Sequence, residues 1–129
     1  MSLFNKIMGN RNEANASDNS KIGWIHLTEI TQLDALKQES NHQPVAIFKH
    51  STRCGISRMV LNGFERDFDL PEGEVKMYFL DLIQYREISN EIANRYEIRH
   101  ESPQLILLKN GKVVHHSSHS DIAVKNLKN

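Results

Sequence analysis

Apolar runs of strand length alternate with amphipathic helical patterns along this chain, and this alternation restricts the fold more than any other feature. The strand-like runs are VAIFKH (45–50), VKMYFLDL (75–82) and QLILLK (104–109). Between them, apolar residues recur with helical spacing in segments 56–64 and 88–96. Strands separated by helices predict βαβ units and a largely parallel sheet.

A terminal hairpin and two further helices complete the predicted order. The run 104–109 is followed by Asn110-Gly111, a dipeptide typical of a tight hairpin turn, and then by KVVHHS. A short strand, GWIHL, precedes a first helix with Thr28 as its predicted N-cap, and Ser120 is the predicted N-cap of a terminal helix. The order β-α-β-α-β-α-β-β-α predicts an α/β fold with a central mixed sheet of four to five strands flanked by helices.

The composition predicts one domain preceded by a flexible segment. Among 129 residues, sixteen Lys and Arg balance sixteen Asp and Glu, so no global field favours nucleic acid or an anionic membrane. Residues 9–21 are small and polar and cannot offset the entropy of ordering. We therefore expect segment 1–21 to be flexible and 22–129 to form the domain. No apolar run approaches the ~20 residues of a membrane span and no secretory pattern is evident, so we expect a cytoplasmic protein with a reduced thiol.

The single cysteine of the chain, Cys54, stands where the second predicted strand gives way to the second predicted helix. A thiol at a helix N-terminus meets unpaired backbone N–H groups and the positive end of the helix dipole, and both favour the thiolate. The thiolate is the nucleophilic form of cysteine. Arg53, next to Cys54, supplies further positive charge. So would Lys49, His50 and Arg58.

Ser57, three residues after Cys54, would turn its hydroxyl toward the sulfur from the first helical turn. The competing interpretation makes Cys54 a small buried hydrophobic residue, as lone cysteines commonly are. The polar neighbours Thr52 and Arg53 favour the functional interpretation, because a structural cysteine would need apolar flanks. Cys54 and Ser57 are therefore the candidate catalytic residues.

The tetrapeptide Cys54-Gly55-Ile56-Ser57 resembles the Cys-x-x-Ser motif of monothiol members of the thioredoxin superfamily. From about residue 23 to the C-terminus the chain is similar to the YtxJ-type monothiol bacilliredoxin family. The resemblance is carried by AIFKHSTRCGISRMVLNGFE, YFLDLIQYREISNEIANRYEIRHESPQLILLKNGKVV and HSSHSDI. The match to monothiol glutaredoxins is little more than the tetrapeptide. Gly55 stands where the bacilliredoxin motif has proline, which affects the rigidity of the thiol turn.

The resemblance implies a thioredoxin-like fold and a role for the sequence ESPQ (101–104). In this superfamily a cis-proline just before a strand faces the active cysteine, and Pro103 matches that position. The backbone N–H and C=O of Ser102 would then point at the thiol and pair, strand-like, with a bound thiol substrate. Without the resemblance, a trans proline that opens an edge strand would be the favoured interpretation.

The function implied by the resemblance is reduction of mixed disulfides between bacillithiol and protein cysteines, with bacillithiol as co-substrate and no cofactor required. The Cys54 thiolate would attack the bacillithiol sulfur, and this chain has no second cysteine to resolve the adduct. Bacillithiol carries a malate group, and Arg53 and Lys49 are the candidate cations for its carboxylates. The predicted helix start at Ser120-Asp121 is a third candidate. Alternatively, Asp121 would bind the amino group of the ligand.

Two other function classes fit the same sequence. Cys-Gly-x-Ser proteins can hold a [2Fe–2S] cluster between two subunits, so an iron–sulfur carrier is the first alternative. A non-catalytic thioredoxin-like stress or interaction protein, tethered by its N-terminal segment, is the second. No histidine metal site is expected, because His115 and His116 are adjacent in a predicted strand and point to opposite faces. One interpretation places His50 and His100 near the thiol, where they modulate its charge; hydrated surface imidazoles are the commoner case.

Overall fold

The computed structural model describes residues 21–128, in which a sheet carries helices on both faces. The strands are β1 (Ile25–His26), β2 (Val45–His50), β3 (Lys76–Asp81), β4 (Gln104–Lys109) and β5 (Lys112–Ser118). The helices are α1 (Thr31–Glu39), α2 (Gly55–Asp67) and α3 (Arg86–Tyr96), and two 3₁₀ helices, His119–Asp121 and Val124–Leu127, follow β5. The predicted α/β class, mixed sheet and flanking helices are confirmed.

The sheet order is β1-β3-β2-β4-β5, which places β2 in the centre. β3 pairs in parallel with both β1 and β2, and helices supply the long crossovers that parallel pairing needs. β4 pairs antiparallel with β2 and with β5. Asn110 and Gly111 form the β4–β5 turn with positive φ angles of 54° and 75°, the left-handed backbone that a tight primed turn requires. The predicted hairpin is therefore confirmed.

Each face of the sheet has its own apolar core. On one face, Phe48 of β2 and Phe79 of β3 pack in a cluster with Phe64 of α2. On the other face, Leu33 of α1 and Ile92 of α3 belong to a second cluster. All six residues of β2 are buried because this central strand is covered on both sides. The segment that carries the cysteine therefore leaves the sheet from the middle of one end.

The predicted terminal helix with Ser120 as its N-cap is wrong. Ser120 lies inside the first 3₁₀ helix, and the extended residues Ser118 and Ala123 precede the two helices. The physical reason is burial: Ile122 and Val124 both pack into the core. Residues two apart point in nearly opposite directions on an α-helix, so a regular helix could not bury both.

The first helix and the first strand are shorter than predicted. Thr28 is not the N-cap of α1; Ile30 holds that position without a side-chain cap. The Gln32 side chain pairs with the backbone N–H groups that precede α1: its Oε1 accepts hydrogen bonds from Thr28 (2.7 Å) and Glu29 (2.9 Å). β1 spans Ile25–His26 alone.

The predicted division into a flexible segment 1–21 and a domain 22–129 falls partly outside the described residues, because 1–20 and 129 are not among them. Lys21 and Ile22 already contact the domain. The Lys21 Nζ donates a hydrogen bond to the Arg66 carbonyl at 3.2 Å, and Ile22 is buried in the core. Within 21–128, no helix combines the length and apolar character needed to cross a membrane.

Candidate thiol site

Cys54 is the N-cap residue of α2 and follows the short loop that leaves β2. Its backbone is extended (φ −113°, ψ 120°), and its carbonyl accepts a hydrogen bond from the Arg58 N–H at 3.1 Å. The residue is half-buried and forms no disulfide. The first turn of α2, with its N–H groups that lack intrahelical partners, and the positive end of the α2 dipole are therefore next to the thiol.

Ser57 is fully buried, and its hydroxyl is engaged in the interior. The Oγ accepts a hydrogen bond from the Ser51 backbone N–H at 3.1 Å and lies 2.7 Å from His50 Nδ1. Among residues 21–128 it forms no hydrogen bond with the Cys54 sulfur. The structure therefore differs from the expectation that this hydroxyl turns toward the sulfur, because two polar groups from the end of β2 hold it inside.

His50, the last residue of β2, is fully buried. Burial lowers the pKa of its imidazole from 6.5 to about 4; the Asp81 carboxylate opposes this shift and the Arg58 guanidinium adds to it. The ring lies against Phe79, with centroids 5.7 Å apart. His50 is neutral at neutral pH, so the expectation that it adds positive charge near the thiol is wrong under those conditions.

The peptide bond between Ser102 and Pro103 is cis, as predicted. Gln104, the next residue, lies opposite Lys49 in the β2–β4 ladder. The Ser102–Pro103 loop is therefore at the end of the sheet from which the Cys54 segment leaves. The Pro103 carbonyl also accepts a hydrogen bond from the His119 N–H at 3.1 Å, which ties this loop to the C-terminal segment.

Lys49 is fully buried in β2, and within 21–128 its Nζ has no hydrogen-bond partner. Burial lowers the pKa of this ammonium from 10.5 to about 8. Its side chain shares the sheet face of Val45 and Ile47, the face covered by α1 and α3, since side chains alternate along a strand. The pKa of His100 is lowered by partial burial and then by the charge of Lys49, so these two residues act on each other. Lys49 as a cation for a ligand carboxylate stays a prediction.

The remaining predicted binding residues are at the surface. Arg53 is exposed directly before Cys54, and Ser120 and Asp121 are exposed in the first 3₁₀ helix. Ser120 and Met59 border a cavity of about 170 Å³ between α2 and the C-terminal segment. Because a 3₁₀ helix of three residues lacks a developed dipole, the helix-start argument for Ser120 and Asp121 no longer applies. Their roles in binding stay predictions.

One cavity lies apart from the thiol. A cavity of about 490 Å³ opens at the amino ends of β2 and β3, lined by residues that include Gln43, Phe68 and Lys76, and is thus at the opposite end of the sheet. Across 21–128, no group of three or more His, Cys, Asp or Glu side chains is arranged to hold a metal ion.

The network that joins His50, Ser51 and Ser57 was not predicted from the sequence. Both members of the His50–Ser57 pair are polar residues in buried positions, seven residues apart across a strand, a loop and a helix start. One signal was available: His50 occupies the end of an apolar run whose other residues are buried on both faces, so its ring had to find a partner inside.

Comparisons with known proteins agree with this geometry. A family model described as monothiol bacilliredoxin BrxC matches residues 25–127. A solved structure described as a proposed oxidoreductase with a thioredoxin fold is 34% identical; the match covers 81% of this chain and 89% of that chain, with a TM-score of 0.69. The thioredoxins of Malassezia sympodialis (23% identity, 85% and 89% covered, TM-score 0.58) and Nicotiana alata (16%, 86% and 90%, 0.61) share the fold. The chain therefore belongs to the monothiol bacilliredoxin BrxC family and has the thioredoxin fold.

Proposed function

We propose that this protein is a monothiol thiol–disulfide oxidoreductase that removes bacillithiol from mixed disulfides with client proteins. The observation that carries the proposal is the position of the single cysteine: Cys54 caps α2 at the sheet end that also holds the cis Ser102–Pro103 bond. Membership in the monothiol bacilliredoxin BrxC family supports the redox chemistry. The proposed location is the cytoplasm, where the thiol would be kept reduced.

The proposed reaction is a thiol–disulfide exchange that needs no cofactor. The Cys54 thiolate attacks the bacillithiol sulfur of the mixed disulfide, and a new S–S bond forms between Cys54 and bacillithiol. The old S–S bond breaks, its electron pair leaves with the client sulfur, and that thiolate takes a proton from water. A second low-molecular-weight thiol then attacks the adduct, which releases Cys54 as thiolate and bacillithiol as a disulfide with that thiol.

The surroundings of Cys54 suggest how a mixed disulfide would bind. The Ser102 backbone N–H and C=O would pair with the substrate chain as a strand does. The exposed Arg53 guanidinium would bind a malate carboxylate of bacillithiol, because arginine pairs with carboxylates through two parallel hydrogen bonds. Lys49, Ser120 and Asp121 are weaker candidates for the same ligand, Lys49 because it is buried.

Intact-mass analysis tests this proposal. The reduced protein is exposed in parallel to oxidised bacillithiol, oxidised glutathione and oxidised coenzyme A, and the rate at which each adduct forms is measured. We expect oxidised bacillithiol to add one bacillithiol per chain and to react faster than the other two disulfides. Cys54→Ser should gain no mass. An unmodified wild type would refute the assignment of Cys54 as nucleophile. Equal rates with all three disulfides would refute bacillithiol as the preferred thiol.

A further inference from the structure

The buried pair of His50 and Ser57 joins the end of β2 to the first turn of α2, the helix whose N-cap residue is Cys54. Both side chains have no exposed surface, and the Ser57 Oγ lies 2.7 Å from His50 Nδ1. The same oxygen accepts the Ser51 N–H at 3.1 Å. Because burial keeps the imidazole neutral at neutral pH, one of its ring nitrogens is a hydrogen-bond acceptor. In the tautomer that carries its proton on Nε2, Nδ1 is this acceptor and the Ser57 hydroxyl is its donor.

The position of Ser57 in α2 gives its hydroxyl a second possible hydrogen-bond partner, the sulfur of Cys54. With Cys54 at the N-cap, Ser57 is at N3, and a side chain at N3 can reach back to the N-cap residue, as in a capping box. A hydroxyl turned that way would donate to the Cys54 thiolate, which in the described part of the chain receives no side-chain hydrogen bond. The hydroxyl has one proton, so bonding to His50 and bonding to the sulfur exclude each other.

We infer that His50 is a positioning residue that holds the Ser57 hydroxyl in the interior and thereby leaves the Cys54 sulfur without a hydroxyl donor. This inference rests on the proposed function only for its consequence, the reactivity of Cys54. A hydrogen bond to a thiolate stabilises the charged form and makes it less nucleophilic. His50 therefore keeps the nucleophile reactive without touching it.

Four variants test the inference through the ultraviolet absorbance of the Cys54 thiolate. His50→Leu removes the polar atom at the δ position, whereas His50→Asn keeps one there. We expect His50→Leu to release Ser57 toward the sulfur and to move the titration midpoint down by about one pH unit, as a hydrogen bond to a charged group would. His50→Asn should stay within a few tenths of a unit of wild type. In His50→Leu/Ser57→Ala the downward shift should vanish, and Ser57→Ala alone should leave the titration midpoint at its wild-type value.

Unchanged midpoints in every variant would overturn the inference, and so would two other outcomes of the titration. One is a rise of the midpoint in Ser57→Ala, which would mean that the hydroxyl already donates to the sulfur. The other is an equal shift of the midpoint in His50→Leu and in His50→Leu/Ser57→Ala. ¹⁵N NMR of the wild type adds a test that holds even if His50→Leu does not fold: we expect Nδ1 to carry no proton, and a protonated Nδ1 would refute the arrangement.

The thiolate titration needs no disulfide substrate, so its result is independent of the proposed reductase activity. If Cys54 forms no bacillithiol adduct but the midpoints behave as expected, the proposed function fails and the positioning role of His50 stands. If the adduct forms and the midpoints do not change, the proposed function stands and the positioning role of His50 fails. A second readout is the rate of adduct formation above the midpoint, which we expect to fall several-fold in His50→Leu and to recover in the double variant.

Discussion

At the scale of single residues, Ser57 occupies the position at which dithiol relatives in the thioredoxin superfamily keep a resolving cysteine. We predict that Ser57→Cys brings a second sulfur within reach of Cys54, because Cα atoms three residues apart at a helix start are at disulfide distance. After one equivalent of bacillithiolated client, the variant should release bacillithiol and form an intramolecular disulfide, a loss of two hydrogens by intact mass.

The wild type should instead hold one bacillithiol until free thiol is added, and Ser57→Ala should do the same. Comparison of Ser57→Cys with Ser57→Ala separates the effect of a second sulfur from the effect of removing the hydroxyl that bonds His50. A stable adduct on Ser57→Cys would contradict the prediction.

Lys49 carries a buried ammonium whose cost should be visible in stability. Its pKa is about 8 in the folded protein and 10.5 when exposed, so between these values the unfolded chain binds more protons and the stability of the wild type rises with pH. We predict that Lys49→Met is more stable at pH 7, by up to roughly 3 kcal/mol, and that the rise between about pH 8 and 10.5 disappears. Urea unfolding at several pH values provides the measurement.

Lys112→Met, a change at an exposed lysine of β5, is the control and should leave both quantities close to wild type. The Lys49→Met variant also tests the predicted role in ligand binding. An unchanged rate of bacillithiol adduct formation would remove Lys49 from the binding residues, whereas a several-fold loss would keep it there.

At the scale of elements, the start of α2 can be stiffened without disturbing its neighbours. Gly55 is the first helical residue, and a Cβ built on it would meet no atom within 4 Å. Cys54 before it has φ −113° and ψ 120°, the extended backbone that a residue preceding proline prefers. We predict that Gly55→Pro raises the free energy of unfolding by about 0.4–1 kcal/mol, because proline suits the first helical position and restricts the unfolded chain.

Thermal and urea unfolding of Gly63→Pro provide the contrast. Gly63 lies in the middle of α2, where proline removes an intrahelical hydrogen bond, so a loss of about 3 kcal/mol or more is expected. A destabilised Gly55→Pro would mean that the thiol turn needs the freedom of glycine.

For the whole molecule, His50 should contribute to acid sensitivity. The pKa of its imidazole is about 4 in the fold and 6.5 when exposed, so between these values the unfolded chain binds the extra proton. Relative to His50→Asn, the wild type should lose stability as the pH falls from about 6.5 to about 4, by up to roughly 3 kcal/mol, and lose no more below that.

Trp24 provides the probe for this measurement. It is the single tryptophan of the chain; its Nε1 donates a 2.7 Å hydrogen bond to Glu65, and its ring packs against Phe48 and Phe79. Its fluorescence should therefore report the global unfolding transition. His42→Asn, at an exposed histidine, should follow the wild type at every pH; a similar effect of both substitutions would refute the assignment to His50.

The order and type of the main elements follow from the sequence because they depend on local periodicity. The apolar runs at β2, β3 and β4 and the helical spacing in α2 and α3 agree with the structure. The prediction was wrong where contacts between residues distant in sequence determine the local structure. Ile122 and Val124 both pack in a core formed by distant residues, so the chain after β5 cannot be one helix. The cis Ser102–Pro103 bond could be predicted from the family resemblance alone.

For the site, the sequence determined that one thiol stands between a strand and a helix, since both neighbours are readable from residue patterns. Tertiary packing decided the rest. Whether Ser57 faces the sulfur or His50 depends on how the start of α2 packs against the end of β2. Whether Lys49 meets solvent or the α1 and α3 face depends on which side of β2 it points to and what covers that side. Protonation follows burial, and burial is a property of the assembled layers rather than of any short segment, so the neutral His50 could emerge only from the folded structure.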